Sequence, residues 1–208
     1  MTTRPPLFAA CLLCAVAPFA SAQTKAPVEI APFIGYRFGG SVYDYYGNSQ
    51  PARDSASAGV TLTLPIGRGD AIEFLYSHQG TAVRADSPTG TQTYPIDVDY
   101  WMLGGVHDFP GQNDRLRPFL TGYLGAAHAS TSQGTVTGGT RFALGLGGGV
   151  KYDFGRTVAL RLDARAIFFF VNGGAGIFCG GDGCAASFNG NGFLQGEVTG
   201  GVVIKLGR

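Results

Sequence analysis

The residues able to do catalytic or ligand chemistry are few and lie apart. His128-Ala129-Ser130 sets an imidazole two positions from a hydroxyl, the minimum for a general base beside a nucleophile. Such a pair works only when a third group orients the base within hydrogen-bond reach. The nearest Asp after it is Asp153, expected a full strand away at the opposite rim, and no Glu follows until Glu197. His78, His107 and His128 fall on separate segments without i, i+2 or i, i+4 pairing, so the sequence offers no metal centre. Gly145-Leu146-Gly147-Gly148-Gly149 lacks the Lys-Ser/Thr of a phosphate loop. Gly180-Gly181-Asp182-Gly183 is one copy of a pattern that holds calcium only when repeated. The expectation is a protein that is not an enzyme and carries no cofactor.

The chemistry that the chain does carry lies in its charges. From Val158 to Val171 the even positions are Val158, Leu160, Leu162, Ala164, Ala166, Phe168 and Phe170, while the odd positions include Arg161, Asp163 and Arg165. Period two means a strand with two unlike faces. A soluble sheet turns its charges to water, whereas a transmembrane β-barrel turns an apolar face to lipid and a polar face to its lumen. The same alternation in the other strands collects the inward acids Glu29, Glu73, Asp97, Asp99, Asp163 and Glu197, and the inward bases Arg37, Arg117, Lys151, Arg161, Arg165 and Lys205. An eight-strand barrel is barely wide enough for its own side chains. Unpaired charge in that space is costly, so the equal numbers predict a salt-bridged plug in preference to a sign-selective pore. Ala143, Gly145, Gly147 and Gly149 on one inner face are expected to leave volume beside them, which keeps a narrow water path open as the alternative.

Eight strands position these groups. Strand one turns Val28, Ile30, Pro32, Ile34, Tyr36 and Phe38 outward, and strand two Ala58, Val60, Leu62 and Leu64. Strand three turns out Ile72, Phe74 and Tyr76, and a long loop is expected from about Gln79 to Thr93. Strand four, Ile96 to Val106, is read with Ile96, Val98, Tyr100, Met102 and Val106 outward and with Asp97, Asp99, Trp101, Leu103 and His107 inward. Strands five, six and eight follow the same alternation. Long and short connections alternate, giving loops at about Gly39 to Ser55, Gln79 to Thr93, Ala129 to Gly139 and Asn172 to Asn191, with three tight turns and both termini at the other end. Tyr36, Phe38, Tyr76, Phe168 and Phe170 toward the loops, and Phe109, Tyr152 and Phe154 toward the turns, suit two aromatic girdles.

Composition agrees. Leu7 to Ala20 is an uncharged apolar run followed by Ala20-Ser21-Ala22, which reads as a secretory signal peptide over residues 1–22, leaving a barrel domain at 23–208. Lys plus Arg number 15 against 14 Asp plus Glu, and Arg4 leaves with the leader, so no charge excess recruits nucleic acid. Beyond the leader the longest apolar run, Ala166 to Val171, is far short of a membrane helix. Cys11 and Cys14 lie in the leader, and the remaining pair, Cys179 and Cys184, is expected to form a disulfide in an exported protein.

The leader, the strand count, Arg117-Pro118-Phe119-Leu120-Thr121-Gly122-Tyr123, Phe142-Ala143-Leu144-Gly145-Leu146-Gly147 and the closing Gly196-Glu197-Val198-Thr199-Gly200-Gly201 together resemble the small outer-membrane β-barrels of Gram-negative bacteria, the broad OmpA-, OmpX- and OmpW-like group. The resemblance covers the whole chain after the leader. It implies an all-β fold, an eight-stranded antiparallel up-and-down transmembrane β-barrel, in the cell outer membrane. It also implies outer-membrane lipid and the barrel-assembly machinery as partners, with an extracellular protein or surface ligand met through the loops. Tyr43, Tyr45, Tyr46 and Phe178 are the candidate loop contacts. One departure is the end of the chain, where Leu206 is followed by Gly207 and Arg208 instead of an aromatic residue. A structural or surface-interaction barrel is the leading function, a narrow channel for small solutes or hydrophobic ligands is the alternative, and a soluble ligand-holding barrel is the third reading.

Overall fold

The computed structural model describes residues 26–44, 49–51, 53–87, 90–111, 115–130, 139–170, 179–180, 183–184, 186–187 and 192–207. Side chains are not described at 41–51, 83–92, 94, 169–170, 179–187 and 192–193. Eight long strands dominate: β1 (Val28–Phe38), β2 (Ser55–Pro65), β3 (Asp70–Ser87), β4 (Gly90–Asp108), β5 (Leu116–Ser130), β6 (Gly139–Asp153), β7 (Val158–Phe170) and β8 (Gly192–Leu206). Each pairs antiparallel with the next, and β8 returns to β1 through Arg37↔Glu197 and Glu29↔Lys205, closing the barrel. Closure satisfies every ladder and leaves no lipid-exposed edge, which the hydrocarbon core demands of any β protein that crosses it.

The turns are short for local reasons. Between β2 and β3, Ile66 and Gly67 donate to the Asp70 carbonyl at 2.9 and 3.2 Å, and Gly69 sits at φ 85°. A Cβ at Gly69 would also lie 2.7 Å from the Asp108 carbonyl oxygen, so glycine is required twice over. Between β6 and β7, Phe154 donates to the Val158 carbonyl at 3.1 Å.

Two expectations are corrected here. The stretch from Gln79 to Thr93 is not a loop: β3 and β4 run on as one ladder from Asp70↔His107 to Ser87↔Gly90. Beyond the membrane a ladder needs no apolar face, so its strands lose the hydropathy alternation by which the others are recognised. The faces of β4 are also the reverse of the reading. Ile96, Tyr100, Met102 and Val106 are buried in the lumen, while Trp101 and Leu103 are half exposed on the outer wall and Asp97 and His107 lie outside with them. Both faces of β4 hold apolar residues, so alternation defines two faces without saying which is inner. Asp97 and Asp99 therefore leave the proposed lumen network.

At the loop end, Ser41–Asp44 pairs with Ser49–Pro51, and Ala186–Ser187 adds to it as a third strand, joining the first and last loops. Tyr45, Tyr46 and Phe178, along with the leader at 1–22, lie outside the described residues.

Candidate functional site in the lumen

The interior is stacked in layers, and the first lies at the turn end. Lys151 Nζ bridges Glu29 Oε2 at 2.9 Å and Asp108 Oδ1 at 3.2 Å. Arg117 binds Asp108 at 2.9 Å, Asp153 at 3.0 Å and Glu29 at 3.5 Å. Lys205 Nζ closes the group on Asp153 Oδ1 at 2.6 Å. Three cations meet three carboxylates, and the set faces a vestibule of about 560 Å³ that opens among the turns, with Glu29, Asp108, Arg117, Lys151 and Lys205 in its wall.

A thin apolar layer follows. Phe119 is buried, Val106 is buried beside the same stretch, and Ala31, Ala159 and Val203 form a small buried cluster. The Phe119 ring lies 5.5 Å from Lys151 Nζ and 4.5 Å from Arg161 Cζ, so a cation of each neighbouring layer contacts it.

Toward the loops comes a second charged set. Arg161 holds Glu73 with two bonds, Nη1 to Oε2 at 2.6 Å and Nη2 to Oε1 at 2.9 Å, the bidentate geometry that makes such pairs strong. Thr63 Oγ1 donates to Glu73 at 2.5 Å and the Tyr123 hydroxyl donates to its other oxygen. Asp163 is gripped within its own strand by Arg161 at 3.0 Å and Arg165 at 3.2 Å. Arg165 reaches Glu197 at 3.4 Å, and Arg37 reaches it at 2.7 Å while also donating to Ser77 and Gln79. This set too has three charges of each sign. Arg37 Nε and Arg165 Nη1 find no acceptor among the described residues, and the Tyr100 and Phe33 rings lie 4.4 and 4.9 Å from those guanidinium carbons. The ion pairs all stay within one set or the other, so the lumen holds two neutral hexads parted by the Phe119 layer.

Ten of the predicted lumen charges come together in this way: Glu29, Arg37, Glu73, Arg117, Lys151, Arg161, Asp163, Arg165, Glu197 and Lys205. Asp97 and Asp99 do not, and Asp108 and Asp153 take their places as the fifth and sixth acids. Shifting β4 by one phase removes the first two and admits Asp108, while Asp153 follows from continuing the inward alternation of β6 to its last residue. Lys151 pairs with Glu29 across the lumen. The volume expected beside the glycines is also occupied: a Cβ at Gly145 would meet the Tyr123 ring at 3.3 Å, and one at Gly147 would meet Arg165 Cβ at 2.8 Å.

The outer wall has its own order. Ile72, Phe74, Leu103, Leu120, Leu124, Leu144, Leu146, Leu162, Val198 and Val202 are exposed there. Trp101 packs on Tyr76 at 4.3 Å and Phe74 at 6.0 Å between ring centres, while His107–Phe109 and Tyr152–Phe154 make edge contacts near the turns. His–Asp pairs bracket this band on β3 and β4: His78 Nδ1 to Asp99 at 2.9 Å toward the loops, His107 Nδ1 to Asp70 at 2.6 Å toward the turns. From Asp70 to His78, at about 3.3 Å per residue and a tilt of about 40°, the band is about 20 Å tall, near the height lipid requires. Charge inside, hydrocarbon outside and polar pairs at both borders are the arrangement of a barrel that spans a bilayer. His128 and Ser130 face Asp99 and Asp97 across the β4–β5 ladder, but His128 Nδ1 lies 2.9 Å from Thr140 Oγ1, and Asp99 is held by His78 and the Tyr76 hydroxyl. Among the described residues no hydrogen bond joins His128 to Ser130.

The backbones of Cys179 and Cys184 stand directly opposite in a short ladder, and their side chains lie outside the described residues.

No protein-family model and no curated protein matches the chain. Solved structures do. Neisserial surface protein A is 16% identical with a TM-score of 0.61, covering 86% of this chain and 97% of its own. The outer membrane protein OprG of Pseudomonas aeruginosa is 10% identical with a TM-score of 0.53, over 88% and 98%. The outer membrane protein AlkL, solved in lipid bilayers, is 13% identical with a TM-score of 0.50, over 92% and 96%. At these identities the likeness is one of fold, and with the inverted polarity of wall and lumen it makes the chain a small eight-stranded β-barrel of the outer-membrane type.

Proposed function

We propose that the protein is a closed, non-enzymatic barrel of the bacterial outer membrane, acting as a structural or surface-interaction protein through its loops. The observation that carries this reading is the pair of neutral hexads with Phe119 between them: Arg37, Glu73, Lys151 and Glu197 are at most 1% exposed, so these charges are paired away from water. A pore selective for one sign needs an excess of that sign in its wall, and here every inward cation has a carboxylate. Purified protein in a planar bilayer is expected to give no stable single-channel conductance. A reproducible conductance above the bare-bilayer level would overturn the plug and favour the narrow channel.

Export chemistry is part of the same reading. Removal of residues 1–22 and oxidation of Cys179 with Cys184 are both read by the intact mass of the protein recovered from outer membranes. The expected mass is that of a chain starting at Gln23 and lacking two hydrogens, which reduction restores. A mass that reduction leaves unchanged would show that the cysteines are not bonded to each other.

A further inference from the structure

Each of the three tight turns presents one arginine to solvent. Arg68 lies between β2 and β3, Arg115 at the start of β5 and Arg156 between β6 and β7, and all three are exposed. The carboxylates described at this rim are already committed to other cations: Asp70 to His107, Asp108 to Arg117 and Lys151, Asp153 to Arg117 and Lys205. Arg68 and Arg156 each stand two positions from an exposed apolar side chain, Ile66 at 63% and Phe154 at 66%, and Phe109 at 39% opens the connection that ends at Arg115. Phe109 and Phe154 are edge-stacked on His107 and Tyr152 of the outer wall, so they continue the lipid-facing band past its polar border. The loop-side border of the same wall is acidic, with Asp97 half exposed and Asp99 beside His78.

We propose that the turn rim is a binding surface for anionic phospholipid headgroups, with the guanidinium groups of Arg68, Arg115 and Arg156 on lipid phosphates and Ile66, Phe109 and Phe154 among the upper acyl carbons. A turn that carries both an apolar and a cationic side chain suits the boundary between acyl chain and phosphate, since the ring or alkyl group leaves water while the charge stays at the surface. Lipid phosphate is the partner favoured by charge: at the turn rim three exposed guanidinium groups stand where the described carboxylates are taken by other cations, whereas at the loop end the exposed Arg53 and Arg141 share their rim with the exposed Asp54 and Asp97. The guanidinium fork binds phosphate oxygens in pairs, which an ammonium does not. Anionic surfaces attract each such cation within a screening length.

The test uses the full chain in phosphatidylcholine vesicles with spin-labelled phosphatidylglycerol or phosphatidylcholine, and reads which label is immobilised by the protein. At about 0.01 M salt the anionic label is expected to be preferred by about twofold or more, and the preference to fade at about 1 M, where screening acts within about 3 Å. R68Q/R115Q/R156Q should abolish it, and R141Q at the loop mouth should leave it intact. Heat-modifiable gel migration reports whether the triple variant is folded. Should it not fold, R156Q alone, in an exposed turn, must lower the preference in part. Equal immobilisation of both labels by the wild type, or a preference that survives removal of the arginines, would overturn the proposal. Neither outcome bears on whether the lumen conducts.

Discussion

Replacing Glu73 by Gln is expected to cost the folded barrel about 3–5 kcal/mol, the usual penalty for removing one member of a buried ion pair. The side chain is fully buried and takes four donors, two from Arg161, one from Thr63 and one from Tyr123. Gln keeps the shape and loses the charge, so Arg161 is left with Asp163, which Arg165 already shares. Trp101 is the chain's one tryptophan and stands on the lipid-facing wall, so its fluorescence reports urea unfolding from vesicles without a label. Lys205→Gln is the comparison: its partner Asp153 keeps Arg117, so no charge is stranded, and the loss is expected to stay at about 1.5 kcal/mol, as for one charged hydrogen bond. Adding Arg161→Met to Glu73→Gln removes the stranded charge, so the double variant is expected to be more stable than E73Q alone. A Glu73→Gln barrel within about 1 kcal/mol of the wild type would mean that water reaches the hexad, because only solvation relieves a charge left without its partner.

How much of this was legible in the sequence depends on whether a strand has one apolar face or two. β7 reads directly: Leu160, Leu162 and Ala164 alternate with Arg161, Asp163 and Arg165, and no other placement keeps the charges out of lipid. β4 does not, because Tyr100 and Met102 are as apolar as Trp101 and Leu103, and the deciding residues are at the strand ends. Asp97 and His107 lie beyond the hydrocarbon band, where charge on the outer wall costs little, so they carry no information about facing. The balance of signs was legible although two of its members were not. Neutrality is a property of the filled lumen: turning β4 exchanges Asp97 and Asp99 for Asp108, and Asp153 at the end of β6 restores the sixth acid. Only part of the pairing follows from neighbouring strands: Glu197 meets Arg37 and Arg165 directly opposite it, but Arg161 meets Glu73 and Lys151 meets Glu29 across the barrel, distances that depend on stagger and side-chain length. The division into two hexads follows from the same packing, since the Phe119 ring that separates them occupies the space where Gly149 opposite it lacks a side chain.

That last contact makes the glycine face of β6 the sharpest place to test whether the lumen is full. A Cβ at Gly149 would lie 1.9 Å from the Leu162 carbonyl oxygen and 2.9 Å from Phe119 Cζ. The first atom is backbone in the β6–β7 ladder, and the second belongs to a ring touched by Lys151 and Arg161, so neither yields without disturbing a strand pair or a hexad. Gly149→Val is therefore expected to cost about 3 kcal/mol or more, the upper end of overpacking, and to weaken or abolish heat-modifiable folding. Gly122→Val makes the same chemical change on the outer face of β5, where the nearest atom to a new Cβ is a Leu146 methyl at 3.7 Å. There the side chain enters lipid and the cost is expected to stay within about 0.5 kcal/mol. The pair of variants separates lumen packing from any general intolerance of bulk at glycine, since length, composition and strand propensity change identically in both. If Gly149→Val folds as well as Gly122→Val, the space beside β6 is open, the plug has a gap along that wall, and the conducting alternative regains its path from the vestibule past Phe119.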